Sequence, residues 1–201
     1  MVSHGLDRDI LMQYQAQEKY FERGDIIFQE NSLPRYFYQL KEGCIKMVSH
    51  GEDDKSFTQG IFTTGQCFGE PPLILNLPYP SSAIAVTSGI YIRLSKENFE
   101  KLLQEQPHVC KMLNTLLAAK TYEKSKRNTM LTGQAPEYRI QFILDEMKRK
   151  QGIDHVAREQ ICLTRQEIAD FTGLRVETVI RTLKRMEQES KIEIRNRKLY
   201  Y

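Results

Sequence analysis

The sequence has no tryptophan, only four cysteines, four histidines, and no long apolar run. Its apolar stretches fall far short of the roughly 20 residues that span a bilayer, so no transmembrane helix or membrane partner is expected. The cysteines form no C-x-x-C pair and the histidines are dispersed, which excludes a disulfide framework, a metal site and, by the same argument, a metal cofactor. No basic segment followed by an apolar one marks a secretory signal. With 201 residues, 40% of them hydrophobic, we expect a soluble, cytoplasmic protein of two domains that needs no cofactor.

Catalytic signatures are missing as well. The chain has no nucleophile elbow, no pair of carboxylates at catalytic spacing and no glycine-rich nucleotide loop. An enzyme is therefore the least favoured class of protein.

Charge is distributed unevenly along the chain, although the formal net charge is only +3. Residues 1–100 hold 9 Lys and Arg against 13 Asp and Glu, residues 101–131 hold 6 against 2, and residues 132–201 hold 14 against 11. The basic second half indicates a polyanionic partner, and a solvated basic face is the simpler alternative. Charge alone does not decide between them.

The first hundred residues predict a β-domain. Short apolar or alternating runs are separated by turn residues about every 8–12 positions, a spacing typical of a small barrel or sandwich. The predicted strands are Tyr20–Phe21, Ile26–Phe28, Tyr36–Leu40, Cys44–Val48, Phe57–Phe62, Ala83–Val86 and Ile90–Leu94.

Helical periodicity begins at Ser95, a good N-cap ahead of an apolar face that contains Phe99 and Leu102. After Pro107 a second helix carries an apolar stripe that fades into a basic segment: Val109, Met112, Leu113, Leu116, Leu117 and Ala119. A stripe that leaves the barrel favours a dimerisation helix, and packing against the chain's own barrel is the alternative. Thr132–Pro136 is the best linker candidate.

Residues 163–201 carry the strongest functional pattern. Thr164 and Glu167 have the spacing of a capping box at the start of a short helix, and Gly173 stops that helix. A second amphipathic helix follows, and two short helices joined by a glycine turn predict a helix-turn-helix. Two short strands around the basic turn 195–197 then predict a β-hairpin wing.

The run from Leu163 to Arg181 resembles the DNA-binding signature of the Crp–Fnr superfamily of bacterial transcription regulators. The resemblance implies an α+β fold with an N-terminal cyclic-nucleotide-binding-type β-roll (1–105), a long dimerisation helix (106–131) and a C-terminal winged helix-turn-helix DNA-binding domain (132–201). It also implies a homodimer on an inverted repeat of double-stranded DNA, with RNA polymerase as a further partner if the protein is an activator.

The same resemblance assigns residues to DNA contacts. Glu177 and Arg181 match the family's base-reading pair, and Thr164 and Gln166 match residues that touch the phosphate backbone. We expect Arg181 to offer two donors to a guanine, and an i,i+4 pair with Glu177 is the alternative. The candidate DNA-binding residues are Thr164, Gln166, Arg175, Glu177, Thr178, Arg181, Lys184, Arg185 and Arg197.

Two positions of the signature depart from the cyclic-AMP-responsive branch of the family. Val176 stands where that branch has a base-reading arginine. Arg175 replaces a small hydroxyl cap and cannot accept a hydrogen bond from the helix amides, so we expect it to contact phosphate. The half-site should therefore differ from the one that this branch reads.

A second group of residues resembles the phosphate-binding cassette of cyclic-nucleotide domains. Glu70, after Gly69, matches the glutamate that binds the ribose hydroxyl, and Ser82 and Ala83 match a Ser-Ala pair. Ser81 stands where the family has an arginine. Because a buried phosphate needs a paired cation, this loss argues against cyclic AMP as the effector.

Lys124 and Ser125 fall near the dimer-helix positions that touch the purine, by counting without gaps back from Arg139. Lys124 is a candidate replacement for the missing charge, and a lysine on a solvated helix face is the alternative. We expect an unknown small-molecule effector or none, and reorientation of the winged domains about Thr132–Pro136 as the means of control. The alternative function is a cyclic-nucleotide-type sensor whose C-terminal domain binds a protein.

Overall fold

The computed structural model describes residues 5–50, 56–131, 134–150, 158–161 and 163–201. By their contacts they form two compact units, Met1–Tyr122 and Glu123–Tyr201. This division lies ahead of the predicted linker, of which residues 132 and 133 lie outside the described part. No helix of these residues is long and apolar enough to cross a membrane. Within the same ranges, no group of three or more His, Cys, Asp or Glu side chains is placed to hold a metal ion.

The described residues of the first unit form eight strands. These are β1 (Gln17–Phe21), β2 (Ile26–Phe28), β3 (Tyr36–Glu42), β4 (Cys44–His50), β5 (Ser56–Thr63), β6 (Cys67–Phe68), β7 (Ser82–Ala85) and β8 (Gly89–Ser95). They pair antiparallel in two four-stranded sheets, ordered β1–β8–β3–β6 and β2–β7–β4–β5. Every strand predicted from the hydrophobic pattern is present, and β6 is an addition to it.

Four helices accompany these strands in the described residues. They are α1 (Arg8–Gln13), α2 (Glu70–Leu75), α3 (Lys96–Glu105) and α4 (Pro107–Leu131), the last of which contributes to both units. The predicted cap is confirmed, because the Ser95 hydroxyl accepts from the amide of Asn98. Pro107 opens α4, where its missing amide donor costs nothing.

One core of the first unit lies under α3 and α4. It contains Leu11, Phe37, Ile92, Leu94, Phe99, Leu102, Val109, Leu113 and Leu116. Three residues of the α4 stripe are therefore buried against the chain's own β-roll, as the alternative interpretation of the stripe has it. Met112 of the same stripe remains 38% exposed.

The second unit is a winged helix-turn-helix. Its elements are α5 (Pro136–Lys150), β9 (Gln160–Ile161), α6 (Arg165–Thr172), α7 (Val176–Gln188), β10 (Glu193–Arg195) and β11 (Lys198–Tyr200). The three helices share an apolar core of Ile140, Ile143, Leu144, Ile168, Phe171, Val179, Leu183 and Met186. The wing, residues 193–200, is the predicted hairpin, and β9 adds a third strand in the order β10–β11–β9.

Candidate DNA interface and ligand pocket

Local hydrogen bonds fix the ends of α6. The Thr164 hydroxyl accepts from the amide of Glu167 at 3.1 Å, and the Glu167 carboxylate accepts from the amide of Thr164 at 2.8 Å. The predicted capping box is therefore present. Gly173 ends the helix in the left-handed conformation at φ 65°, where a side chain would be strained. This turn sets the angle at which α7 starts.

Helix α7 is strongly amphipathic. Its N-cap, Arg175, makes no capping hydrogen bond, as its lack of an acceptor predicts. One face buries Val179, Thr182, Leu183 and Met186, and Thr178 at its edge is half-buried. The opposite face is exposed and carries Glu177, Ile180, Arg181, Lys184 and Arg185.

The charged side chains in the middle of this face are available to a partner. Among the described residues, no ion pair joins Glu177 to Arg181. The i,i+4 pair that the alternative role of Arg181 requires is therefore not formed. Lys184 likewise has no ion-pair partner in the described ranges. Their charges point into solvent, where long side chains adapt at small cost to phosphate or base edges.

Arg185 is engaged within the unit. Its guanidinium lies 2.7 Å from the carboxylate of Glu137 on α5 and 3.9 Å from that of Glu189. Lys191 binds the other carboxylate oxygen of Glu137. Hydrogen bonds from Lys191 and then Arg185 lower the pKa of Glu137. Any DNA contact by Arg185 therefore competes with this network, whereas Arg181 faces no such competition.

The α6 candidates are also engaged locally. The Thr164 hydroxyl donates to the Glu167 carboxylate at 2.9 Å, and the Gln166 amide donates to Asp170 at 2.7 Å. Both candidates are exposed. A phosphate contact by either one requires these local hydrogen bonds to be exchanged.

The wing presents a cation at a strained tip. Asn196 and Arg197 have φ values of 49° and 64°, the two positive values of the tight turn that matches strand twist. Arginine rarely adopts this conformation. Its carbonyl accepts from the Arg165 guanidinium at 2.5 Å, while its side chain is exposed. The tip is thus tied to the start of α6 and leaves the Arg197 charge free to reach outward.

The cassette of the first unit has a different character. Gly69 caps α2 at φ 75°, and a Cβ there would meet the Phe28 ring at 3.0 Å. Glu70 follows and is only 1% exposed. Its carboxylate accepts from the Lys120 ammonium at 2.6 Å, and the same ammonium donates to the Cys67 carbonyl at 2.6 Å. A buried carboxylate is acceptable because it is paired.

Sequence reasoning missed Lys120. The signal for it is its place in the α4 stripe, four residues after Leu116 and seven after Leu113, both buried. A lysine on the core side of an amphipathic helix implies a buried acidic partner. Lys124 and Ser125 lie further along α4 with exposed side chains, and their assignment to a ligand stays a prediction.

The remaining cassette groups are buried and face other parts of the first unit. The Ser82 hydroxyl accepts from the amide of Glu30 at 2.9 Å, and the Ser81 hydroxyl lies 3.8 Å from the Met47 sulfur. Ala83, in β7, is fully buried. The serine that replaces the family's arginine therefore sits in the packed interior of the roll.

Aromatic rings fill the space beside these groups. Tyr79 stacks on Phe28 with ring centroids 3.7 Å apart, and Tyr38 and Phe68 complete the cluster. Burial raises the pKa of Tyr79, whose hydroxyl has no hydrogen-bond partner among the described residues. Clefts with volumes of about 300 and 220 Å³ lie elsewhere, one lined by residues 13–15 and by α3 and the other by α5 and Lys191.

Comparison with known proteins matches both units. The cyclic nucleotide-binding domain family matches residues 18–106, and the Crp-like helix-turn-helix domain family matches residues 140–200. The nitrogen fixation regulation protein FixK of Bradyrhizobium diazoefficiens is 25% identical over 96% of this chain and 82% of its own length. The cAMP-activated global transcriptional regulator CRP of Pasteurella multocida is 28% identical over 85% of this chain and 82% of its own.

Solved structures share the fold. The c-di-GMP responsive global regulator CLP of Xanthomonas campestris superposes with a TM-score of 0.83 at 17% identity, covering 96% of this chain and 98% of that one. FixK2 of Bradyrhizobium japonicum superposes with a TM-score of 0.81 at 20% identity, covering 92% and 91%.

Proposed function

The chain belongs to the Crp–Fnr family of DNA-binding transcription regulators, and we propose that it acts in the cytoplasm as a homodimer on an inverted repeat, without gating by cyclic AMP. Members of this family regulate transcription and are not enzymes. The observation that carries the proposal is the exposed charged face of α7, where Arg181 and Lys184 have no ion-pair partner among the described residues. In this family's binding mode, the N-terminal part of the second helix enters the major groove.

The DNA contacts divide by chemistry. Arg181 and Glu177 are proposed to read base edges, since both are exposed and lie near the start of α7. Arg175, Lys184 and Arg197 are proposed as phosphate contacts, which give affinity without sequence preference. Thr164, Gln166, Thr178 and Arg185 are proposed as supporting contacts, because each is half-buried or already hydrogen-bonded.

Dimerisation through α4 is supported by the face that the β-roll leaves uncovered. Met112 and Tyr122 are 38% and 70% exposed. With Thr115 and Ala119 they follow one helical stripe, beside the buried one, at the 3–4 residue spacing of a helix–helix seam. Two recognition helices about one helical turn of DNA apart would then read the two half-sites.

The cassette supports a regulator that cyclic AMP does not control. The Glu70 carboxylate, which would accept the ribose hydroxyl, already binds Lys120, and Lys120 is the cation found beside it. A cyclic nucleotide would have to separate this pair and find a second cation for its phosphate. We propose an effector of other chemistry, or control by abundance, with RNA polymerase as a partner only if the protein activates.

The test of DNA binding is its salt dependence. Affinity for a duplex carrying the selected inverted repeat should fall steeply as salt rises, with a log–log slope of about −0.9 for each phosphate contacted. The Lys184→Ala variant should make the slope shallower without changing the preferred sequence. If the protein does not bind the duplex even at low salt, and instead binds a protein partner through residues 132–201, the sensor function is favoured.

The test of gating is a thermal-shift titration with cyclic AMP and cyclic GMP. A ligand at about 100 times its Kd adds about 2.7 kcal/mol to the free energy of unfolding, which raises Tm visibly. We expect no rise with either nucleotide. A clear rise would contradict the proposal for the cassette and leave the DNA-binding proposal intact.

A further inference from the structure

Helix α7 exposes an isoleucine in the middle of its charged face. Ile180 is 52% exposed, and it is the only exposed large aliphatic residue among those of the second unit whose side chains the structure describes. It lies three residues after Glu177, four before Lys184 and directly before Arg181, so it shares their side of the helix.

In the described part of the second unit, Ile180 does not belong to the buried core. The buried face of α7 is filled by Val179, Leu183 and Met186, which are each at most 1% exposed. A β-branched residue is also a weaker helix former than the alanine or arginine that would suit an exposed site. An exposed isoleucine therefore contributes little to the stability of the helix, and its side chain is available to whatever binds that face.

We infer that Ile180 reads the C5-methyl group of a thymine in each half-site, an inference that rests on the proposed function. Thymine is the only base that presents a methyl group in the major groove, and it is recognised there by apolar contact. Ile180 is the fifth residue of α7, within the N-terminal part of a recognition helix that meets base edges.

The neighbours of Ile180 determine where that thymine lies. Arg181, the next residue, is exposed on the same face, so the thymine should lie close to the base pair that Arg181 reads. Val176 precedes Ile180 by one helical turn and is half-buried. It is the other apolar side chain at this edge, and the experiment must separate the two.

The experiment combines site selection with base replacement. Duplexes retained by the wild-type protein from a random pool give the preferred half-site. Each of its thymidines is then replaced by deoxyuridine, which removes only the methyl group. Replacement at one position of a half-site should lower the affinity of the protein for the duplex about fourfold, the factor that one buried methyl group gives. The same replacement in both half-sites should lower it about 15-fold.

The variants assign the methyl contact to one side chain. In Ile180→Ala the deoxyuridine effect should vanish, in Ile180→Val it should be reduced, and in Val176→Ala it should persist. Ile74→Ala, which truncates a 43% exposed isoleucine of α2, should leave both the effect and the affinity unchanged. The Tm of Ile180→Ala should not fall below that of the wild type, since the side chain is exposed and alanine is the better helix former.

Any one of three results would overturn the inference. The wild type could be insensitive to deoxyuridine at every position, the sensitivity could survive in Ile180→Ala, or it could be lost in Val176→Ala instead. All three leave DNA binding standing. A wild-type protein that retains no duplex from the pool overturns the proposed function and this inference with it.

Discussion

The two candidate sites of this chain treat their polar side chains in opposite ways. In the cassette, Glu70 is 1% exposed and bound to Lys120, and the Ser82 hydroxyl is bound to the backbone. On α7, Glu177 and Arg181 are exposed, and in the described part of the chain neither has an ion-pair partner. The polar groups of the first site are satisfied within the fold, whereas those of the second remain available for a partner.

This difference shows what a sequence motif does and does not establish. Both sites resemble family motifs, but a group that is already satisfied inside the protein must give up one interaction to gain another. A group held in solvent gives up only water. The availability of each side chain, and not its identity alone, determines whether the motif can act on a ligand.

The largest effect is expected from breaking the cassette pair. Lys120→Met leaves the Glu70 carboxylate buried without its cation, and we expect the free energy of unfolding to fall by about 3 kcal/mol, measured by urea denaturation. Lys101→Met, which removes an exposed i,i+4 pair with Glu105, should cost less than about 0.5 kcal/mol. Adding Glu70→Leu to Lys120→Met should recover part of the loss. Equal small losses in both lysine variants would contradict the structural role of the pair.

The next effect concerns the open site. Arg181→Ala should weaken binding by about 1–3 kcal/mol per half-site and relax the preference at one base pair, measured against a library of single-base changes. Arg185→Ala, whose guanidinium is held by Glu137, should have the smaller effect. If Arg181→Ala weakens all sequences equally, Arg181 contacts phosphate and not a base.

In the wing, substitution of one residue should change the stability of the fold and the binding of DNA in opposite directions. Arg197→Gly removes the strain of a positive φ and should raise the free energy of unfolding by about 1 kcal/mol. It should also reduce the salt slope of DNA binding by about 1 for each half-site. Asn196→Gly removes the neighbouring positive-φ side chain and keeps the cation, so its salt slope should match the wild type. Identical slopes for the two variants would remove Arg197 from the interface.

The smallest effect concerns the thiol of Cys67, beside the cassette, which we expect to be unreactive. Burial, with Glu70 adding to it, raises the pKa of Cys67 to about 12, so less thiolate is present at any pH than for an ordinary cysteine. Between about pH 7 and 9, iodoacetamide should modify the partly exposed Cys44 and Cys110 and spare Cys67, as read by peptide mass mapping. Modification of Cys67 at the rate of Cys110 would show that the cassette opens readily.

Features with local causes were predictable from the sequence. The cap at Ser95, the capping box at Thr164 and the stop at Gly173 each depend on residues three or four positions apart. The strands of the roll followed from turn residues and alternation. The availability of Arg181 and the exposure of Ile180 required the structure, because an isoleucine in an amphipathic helix is expected on its buried face.

Features that depend on distant partners were not predictable in the same way. Lys120 pairs with a glutamate in another part of the first unit, so its role appears only when α4 is packed on the roll. The pattern gave no sign of β9, since a strand of two residues carries no periodicity of its own. Its partner β11 determines that it forms at all.

Strand β9 also determines how the second unit opens. Helices α6 and α7 lie in the chain between β9 and β11, and the pairing of these strands closes a loop around both helices. β11 is the middle strand, so its amides are divided between two ladders, and exchange of all of them requires both ladders to separate. Loss of the β9–β11 ladder would open that loop, so we expect it to release α6, α7 and the wing from one another in the same event.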